Sequence, residues 1–354
     1  MTFYAQPDYS KTRVDKAGSN VANGNFGDDD VEIVENWRAS HAQILNTFKQ
    51  ILYNRARKID CLVVQRLKRR PTIIDKLSRD PNMTVRLSQM QDIAGCRLIF
   101  GQKDDLYSFK GLMDKGSFAH KLAYERDYIL EPKEDGYRGL HQIYNYNVEP
   151  RKGHASENQP WNGMRVEVQY RTITQHIWAT AVETAGLLTA NNPKFKKGSQ
   201  SFVDFFKVCS EMLSRSVDSV TAVLPGLTNV ELVDEYRRLN NDTHIVDIFE
   251  RVNARIEDEK FSKTSILIFN LEKDAQGSEI QVLSYDSMNS GIKDYDRLEK
   301  ELAGKADLVL VKADAEESMR SAYRNYFADT VEFLHLIKEA ESNLPSQDHL
   351  ELSL

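Results

Sequence analysis

Three cysteines in 354 residues, at positions 61, 96 and 209, stand far apart, with no Cys-x-x-Cys and no His-x-x-x-His spacing near them. That pattern excludes a disulfide framework and a cysteine-histidine zinc site, and it leaves three reduced thiols. No apolar run is long enough to cross a bilayer, so no membrane partner is expected. The opening stretch, MTFYAQPDYSKTR, lacks the basic start and apolar core of a secretion signal, which sets a cytoplasmic expectation. Internal repeats and low-complexity tracts are absent as well, and no serine or cysteine sits in a pattern suited to nucleophilic catalysis.

What the chain does have is a globular composition, 41% hydrophobic and 28% charged, at a length that favours two domains. Its net charge of −6 conceals an asymmetry. Residues 51–100 hold eleven Lys and Arg against four Asp and Glu, whereas residues 226–354 hold fifteen against twenty-seven. The first stretch suits phosphates, or is simply a solvated helix face; the second suits neither phosphate nor DNA.

The periodicity divides the chain further. Residues 1–30 end in NVANGNFGDDD and read as a mobile arm, with Tyr4 and Tyr9 free to dock. Apolar positions Val34, Trp37, Ile44, Phe48 and Leu52 recur at helical spacing over 31–57, and Pro71 opens a second helix. A turn is expected at Asp80–Pro81–Asn82. Strands are expected at 93–100, where Gly95 implies a close approach to the backbone, at 126–130, at 140–148 and at 165–170. A helix carrying Trp178 follows. After an amphipathic helix over 201–223, Leu224–Pro225–Gly226 reads as the domain boundary, and 226–342 as a smaller acidic α/β domain with a tail at 343–354. The aromatic group Tyr323, Tyr326 and Phe327 is either core or part of a regulatory or oligomer contact. The expectation is an α+β protein whose mixed β-sheet carries packed helices.

Two carboxylates stand at predicted strands: Asp92 just ahead of IAGCRLIF, and Glu167 inside RVEVQY. Converging at one end of a sheet among cations, such a pair suits Mg²⁺ held by carboxylates and substrate phosphates. Each residue alone also admits a plainer reading, a turn cap for Asp92 and a solvent-facing position for Glu167. Arg66, Lys68, Lys76, Arg79 and Arg97 form a spaced basic set able to neutralise a triphosphate. Lys133, Tyr137, Arg138 and His141 lie in a glycine-bearing loop, where a tyrosine ring can stack on a base or merely cover apolar surface.

Taken in order, these blocks resemble the synthetase domain of the RelA/SpoT family, the pyrophosphokinases that make pppGpp and ppGpp, over about Val31 to Met212. Arg66, Lys68, Ile73 and Lys76 match the ATP-binding segment, with Thr72 in place of a serine. Asp92, Gly95 and Arg97 match the metal-binding block. Pro132, Lys133, Gly136, Tyr137, Arg138 and His141 match the acceptor loop, with Gly139 in place of a serine, while Glu167, Gln169, Arg171 and Thr172 match the second acidic strand. His176 stands where relatives carry His or Asn. The resemblance implies a nucleotidyltransferase-like fold, Mg²⁺ as cofactor on Asp92 and Glu167, ATP on Arg66, Lys68, Lys76, Arg79 and Arg97, and the acceptor nucleotide on Lys133, Tyr137, Arg138, His141, Gln169, Arg171 and His176.

The implied reaction moves the β,γ-pyrophosphate of ATP onto the 3′-hydroxyl of GDP or GTP. Two alternatives stand beside it: a toxic relative acting on adenine nucleotides or the 3′ end of tRNA, and an inactive nucleotide-sensing module. A homo-oligomer is compatible with each. The chain contains no His-Asp dipeptide, so the family's hydrolase activity is not expected, nor are its ribosome-binding modules.

Overall fold

The computed structural model describes residues 4–79, 85–116, 118–149, 156–188, 200–258, 264–270, 280–302, 306–312 and 316–351. The turn expected at residues 80–82 lies outside them. Two compact units result, one from residues 1–131 with 138–173 and one from 132–137 with 174–354.

The first unit is built on a five-stranded mixed sheet in the order β1-β2-β5-β4-β3, with β1 Cys61–Leu67, β2 Ala94–Phe100, β3 Lys121–Asp127, β4 Leu140–Asn145 and β5 Arg165–Thr172. Only the β2–β5 pair in this sheet is parallel. Strand alternation assigns the two faces. Ala94, Cys96 and Leu98 of β2 and Val166, Val168 and Tyr170 of β5 point into the core. The residues between them, Gly95, Arg97, Glu167 and Gln169, fall on the other face and are half-buried.

Three helices cover the apolar face or its margins: α2 Asp28–Ala56, α3 Arg70–Ser78 and α4 Lys103–Lys115. In α2, Asp28, Asp29 and Asp30 oppose the positive end of the helix dipole, and Ile44, Phe48 and Leu52 are completely buried. The N-terminal arm is a correction to the sequence reading. Lys11–Ala22 forms a helix, α1, whose Val14, Ala17 and Val21 are buried, and Tyr4 and Tyr9 pack on the same core. Its apolar positions are spaced i, i+3, i+7, a stripe narrow enough to be missed beside the polar 23–30 segment. The strand expected at 126–130 lies earlier, at 121–127, because Asp127 Oδ1 accepts from the backbone N–H groups of Ile129 and Leu130 and turns the chain there.

The second unit packs α5 Ile173–Leu188, α6 Gln200–Asp218, α7 Asn229–Thr243, α8 Ile245–Asp258 and α10 Glu316–Glu351 around one aromatic core that includes Phe205, Phe206, Tyr236, Phe249 and Phe333. A small antiparallel sheet, order β7-β6-β8 (β6 Thr264–Asn270, β7 Ile280–Tyr285, β8 Ala306–Lys312), carries α9 Met288–Glu301 and a separate apolar cluster. The break expected at 224–226 is therefore not a boundary, since α7, α8 and α10 complete the core that α5 and α6 begin.

The physical reason is Glu211 on α6. Completely buried, its carboxylate accepts from the backbone N–H groups of Ala222, Val223 and Leu224, while Arg215 donates to Glu211 and to the carbonyls of Leu224 and Leu227. A Pro-Gly sequence that reads as a linker is thus stapled to the preceding helix by charge-assisted hydrogen bonds. The side chains of Tyr323, Tyr326 and Phe327 lie outside the described ones.

Candidate active site

The site begins with the sheet register. Gly95 on β2 stands opposite Arg66 on β1 and Glu167 on β5, while Gln169 stands between Arg97 on β2 and His141 on β4. Period-two alternation then puts Arg66, Arg97, Glu167, Gln169, Arg171 and His141 on one face. Gly95 keeps that face low. A Cβ built there would meet only the carbonyl oxygen of Arg66, at 3.7 Å, so no protein group makes the close approach that this glycine suggested.

Asp92, just before β2, is gripped from two sides. Lys68 Nζ lies 2.6 Å from Oδ2 and Lys76 Nζ 3.0 Å from Oδ1. Burial pushes this carboxyl up, but the two ammonium groups outweigh burial and hold it below its ordinary value. Lys68 shifts down as well, because its own burial exceeds the attraction of one carboxylate, with Lys76 and Arg66 adding repulsion. The two directions agree: Asp92 has two cations for one charge, whereas Lys68 shares one anion. Lys68 is also fixed through its backbone, its N–H donating to Ile93 O at 2.8 Å and its carbonyl accepting from Arg38 Nε at 2.7 Å. Arg38, on α2, is a supporting residue that the sequence reading missed; only its helix-face position could have marked it.

Glu167 is nested in the same way. His141 Nδ1 lies 2.9 Å from Oε1, and Gln169 Nε2 donates to Oε2 at 2.8 Å. A carboxylate only accepts, so Nδ1 carries the proton in this contact and the imidazole tautomer is fixed. Burial raises the carboxyl, the His141 hydrogen bond and charge lower it, nearby Asp92 raises it and Gln169 lowers it; the sum lies below the ordinary value. Both carboxylates are therefore ionised at neutral pH. Tyr128, another residue absent from the sequence set, stands edge-on to His141 with ring centroids 5.4 Å apart.

The remaining candidates fall in three places. Arg66 is exposed on the edge strand, and Arg138 and Arg171 are buried in the same unit. Arg79, at the C-terminal end of α3, pairs with Asp75 one turn earlier. Lys133, Tyr137 and His176 belong to the second unit. There Lys133 Nζ lies 4.8 Å above the Tyr137 ring, whose centroid is 6.4 Å from that of Trp178, and His176 Nε2 is 3.6 Å from Asp329 Oδ2 on α10. Gly136 adopts φ +91°, a conformation that favours glycine, and its carbonyl accepts from Ser210 Oγ at 2.6 Å. The loop read as one acceptor motif is thus divided, residues 132–137 packing with the helices and 138–141 with the sheet. Among the described residues no cluster of three metal-ligating side chains occurs, and none of the helices is long and apolar enough to cross a membrane.

Comparison with known proteins adds an independent finding. GTP pyrophosphokinase YjbM of Bacillus subtilis (strain 168) is 33% identical over 121 residues, which cover 33% of this chain and 52% of that protein. GTP pyrophosphokinase YwaC of the same organism is 29% identical over 119 residues, 32% of this chain and 52% of that protein. The chain spans about half the length of the curated relatives it matches. Among solved structures, small alarmone synthetase 1 from Bacillus subtilis bound to its product pppGpp has 25% identity and a TM-score of 0.41, covering 51% of this chain and 90% of that one. A GTP pyrophosphokinase family protein from Streptococcus pneumoniae has 20% identity and a TM-score of 0.42, covering 60% and 98%. The family model described as "Region found in RelA / SpoT proteins" matches residues 65–187, from the β1 strand through α5, a span that contains both the Asp92 and the Glu167 clusters.

Proposed function

We propose that this chain is a pyrophosphokinase that moves the β,γ-pyrophosphate of ATP to the ribose 3′-hydroxyl of GDP or GTP, releasing AMP. The observation that carries this reading is the pair of ionised carboxylates, Asp92 at the entry to β2 and Glu167 on β5, each held by its own donors, with Lys68 and Lys76 on Asp92 and Arg66, Arg97 and Arg171 on the Glu167 face of the sheet. Phosphoryl transfer asks for positioning and positive charge more than for a covalent nucleophile, and this face supplies both. The names of the curated relatives support the same reaction class.

Mg²⁺ fits the donor chemistry. Hard carboxylate oxygens, both ionised and with Asp92 near enough to raise the proton affinity of Glu167, are what a metal shared with substrate phosphates requires. Asp92 and Glu167 would hold it, and when bound it would neutralise charge on the transferred phosphates. The chain's own groups do the rest. Lys68 and Lys76 pass from Asp92 to phosphate oxygens, and Arg66 and Arg97 add charge on the same side. Glu167, oriented by His141, accepts the proton of the 3′-hydroxyl as its oxygen bonds to the β-phosphorus and the bond to the α-phosphate oxygen breaks. The acceptor roles of Lys133, Tyr137, Arg138 and His176 rest on the family resemblance.

The test is incubation with ATP labelled in the β,γ-phosphates and Mg²⁺, with GDP, GTP, ADP, AMP or deacylated tRNA supplied separately. Label on guanosine nucleotides is the expected result. Label confined to adenine nucleotides or tRNA would overturn the acceptor assignment, and no transfer to any of them would overturn the reaction.

A further inference from the structure

Gln169 occupies the middle of β5, itself the middle strand of the sheet, and it touches both halves of the candidate site. Its Oε1 accepts from Arg97 Nε and from Arg171 Nη2, each at 3.3 Å, while its Nε2 donates to Glu167 Oε2 at 2.8 Å. The orientation of an amide is often open; here it is determined twice over. Turning it end for end would set NH₂ against two guanidinium donors and oxygen against a carboxylate, losing three hydrogen bonds for none gained. The arginines therefore fix the amide, and the amide, with His141 on the other oxygen, fixes the carboxylate.

We propose that Gln169 is a positioning residue and not a ligand of the acceptor nucleotide: its amide, locked by Arg97 and Arg171, aims Glu167 and links Arg97, on the phosphate side, to the acceptor-side carboxylate. The proposal rests on the pyrophosphokinase reading for the roles of the two sides. A phosphate oxygen reaching Arg97 is a stronger acceptor than an amide carbonyl, so it competes for the guanidinium that orients Gln169. Occupancy at Arg97 is then transmitted, through one side chain, to the oxygen of Glu167 that Gln169 holds. Such a link is a binding coupling and must run both ways.

The experiment is a kinetic and spectroscopic comparison of the full chain with Gln169→Met and Gln169→Glu, each checked for an unchanged melting profile. Gln169→Met is expected to lower kcat by about 10-fold to 100-fold with both KM values within about 3-fold of wild type, the pattern of a lost transition-state orientation. A raised acceptor KM with kcat preserved would instead make Gln169 a ligand and overturn the proposal. Gln169→Glu keeps an acceptor for the arginines but cannot donate to ionised Glu167, so kcat should stay as low as in Gln169→Met; recovery of kcat would overturn the link to Glu167. A readout independent of turnover is the ¹⁵N side-chain amide resonance of Gln169, assigned by its loss in Gln169→Met. It should move on addition of a non-hydrolysable ATP analogue and in Glu167→Gln. An amide signal unmoved in Glu167→Gln would overturn the proposal even in a protein that transfers nothing, whereas loss of transfer and nucleotide binding in wild type, with that signal still moving, overturns only the reaction.

Discussion

Two glutamines on neighbouring strands make the most informative comparison in the molecule. Gln142 of β4 and Gln169 of β5 each satisfy both ends of the amide, but on opposite faces of the sheet. Gln142 is completely buried: Nε2 donates to Asp114 at 3.0 Å and Glu125 at 2.8 Å, and Oε1 accepts from Tyr144 at 2.8 Å and Tyr170 at 2.5 Å. Lys110 closes that network against Asp114 and Glu125. Gln169 makes similar bonds to arginines and a carboxylate on a face that no protein Cβ contact crowds at Gly95. On the proposed function, the same side chain is structural where burial removes every competitor and chemical where phosphate, metal or hydroxyl can replace a partner. Polar saturation marks neither by itself; access decides.

That comparison can be broken from either side. The largest effect is expected from Asp92→Ala or Glu167→Ala, which should reduce transfer at least 10²-fold to 10⁴-fold while the fold survives, as read by labelled-phosphate transfer and circular dichroism. Retained transfer in either variant would remove that residue from the chemistry. Gln142→Leu should do the reverse, costing about 2–4 kcal/mol in urea unfolding because Tyr144 and Tyr170 lose their buried acceptor, with kcat of the folded protein unchanged within about 2-fold. A fall in kcat without loss of stability would show that the two faces are not independent. Lys76→Met, which removes the more exposed of the two Asp92 cations, should raise the ATP KM about 10-fold and lower kcat less than either carboxylate variant.

The smallest expected effect is on pH-dependent stability. Asp92 and Glu167 are both depressed on folding, so they bind protons less readily in the native state and contribute stability above their unfolded values, lost as pH falls through the folded ones. The window opens below about pH 4.5. Lys68, also depressed, acts at the other end: the folded state sheds its proton first, so stability rises as pH climbs through its folded value. Melting measured from pH 3 to pH 6 in wild type and Asp92→Asn should show a shallower acid slope in the variant; identical slopes would show that the Asp92 shift is absent.

Much of the sheet was readable because alternation and apolar runs are local. The β2 and β5 strands, the α2 helix and the Pro71 helix start lie within a few residues of their expected places. Asp92 and Glu167 were legible as strand-associated carboxylates, but not what holds them: Lys68 and Lys76 reach Asp92 from 24 and 16 residues away, and His141 reaches Glu167 from 26. The α1 helix failed because its apolar stripe is short, and the 224–226 break failed because composition carries no trace of Glu211 turning back onto the chain. Arg38 and Tyr128 were invisible for the same reason, since each acts through a partner distant in sequence.

The sequence by itself determined which residues carry charge, where strands alternate and hence that Glu167, Gln169 and Arg171 share a face, because a period of two needs no tertiary information. Register, by contrast, is a property of paired strands. Only the tertiary structure set Gln169 between Arg97 and His141, brought Glu167 beside Gly95, and divided the acceptor loop between two units. Those placements depend on the packing of apolar faces made by residues far apart in the chain, and on which polar groups that packing leaves within reach of one another.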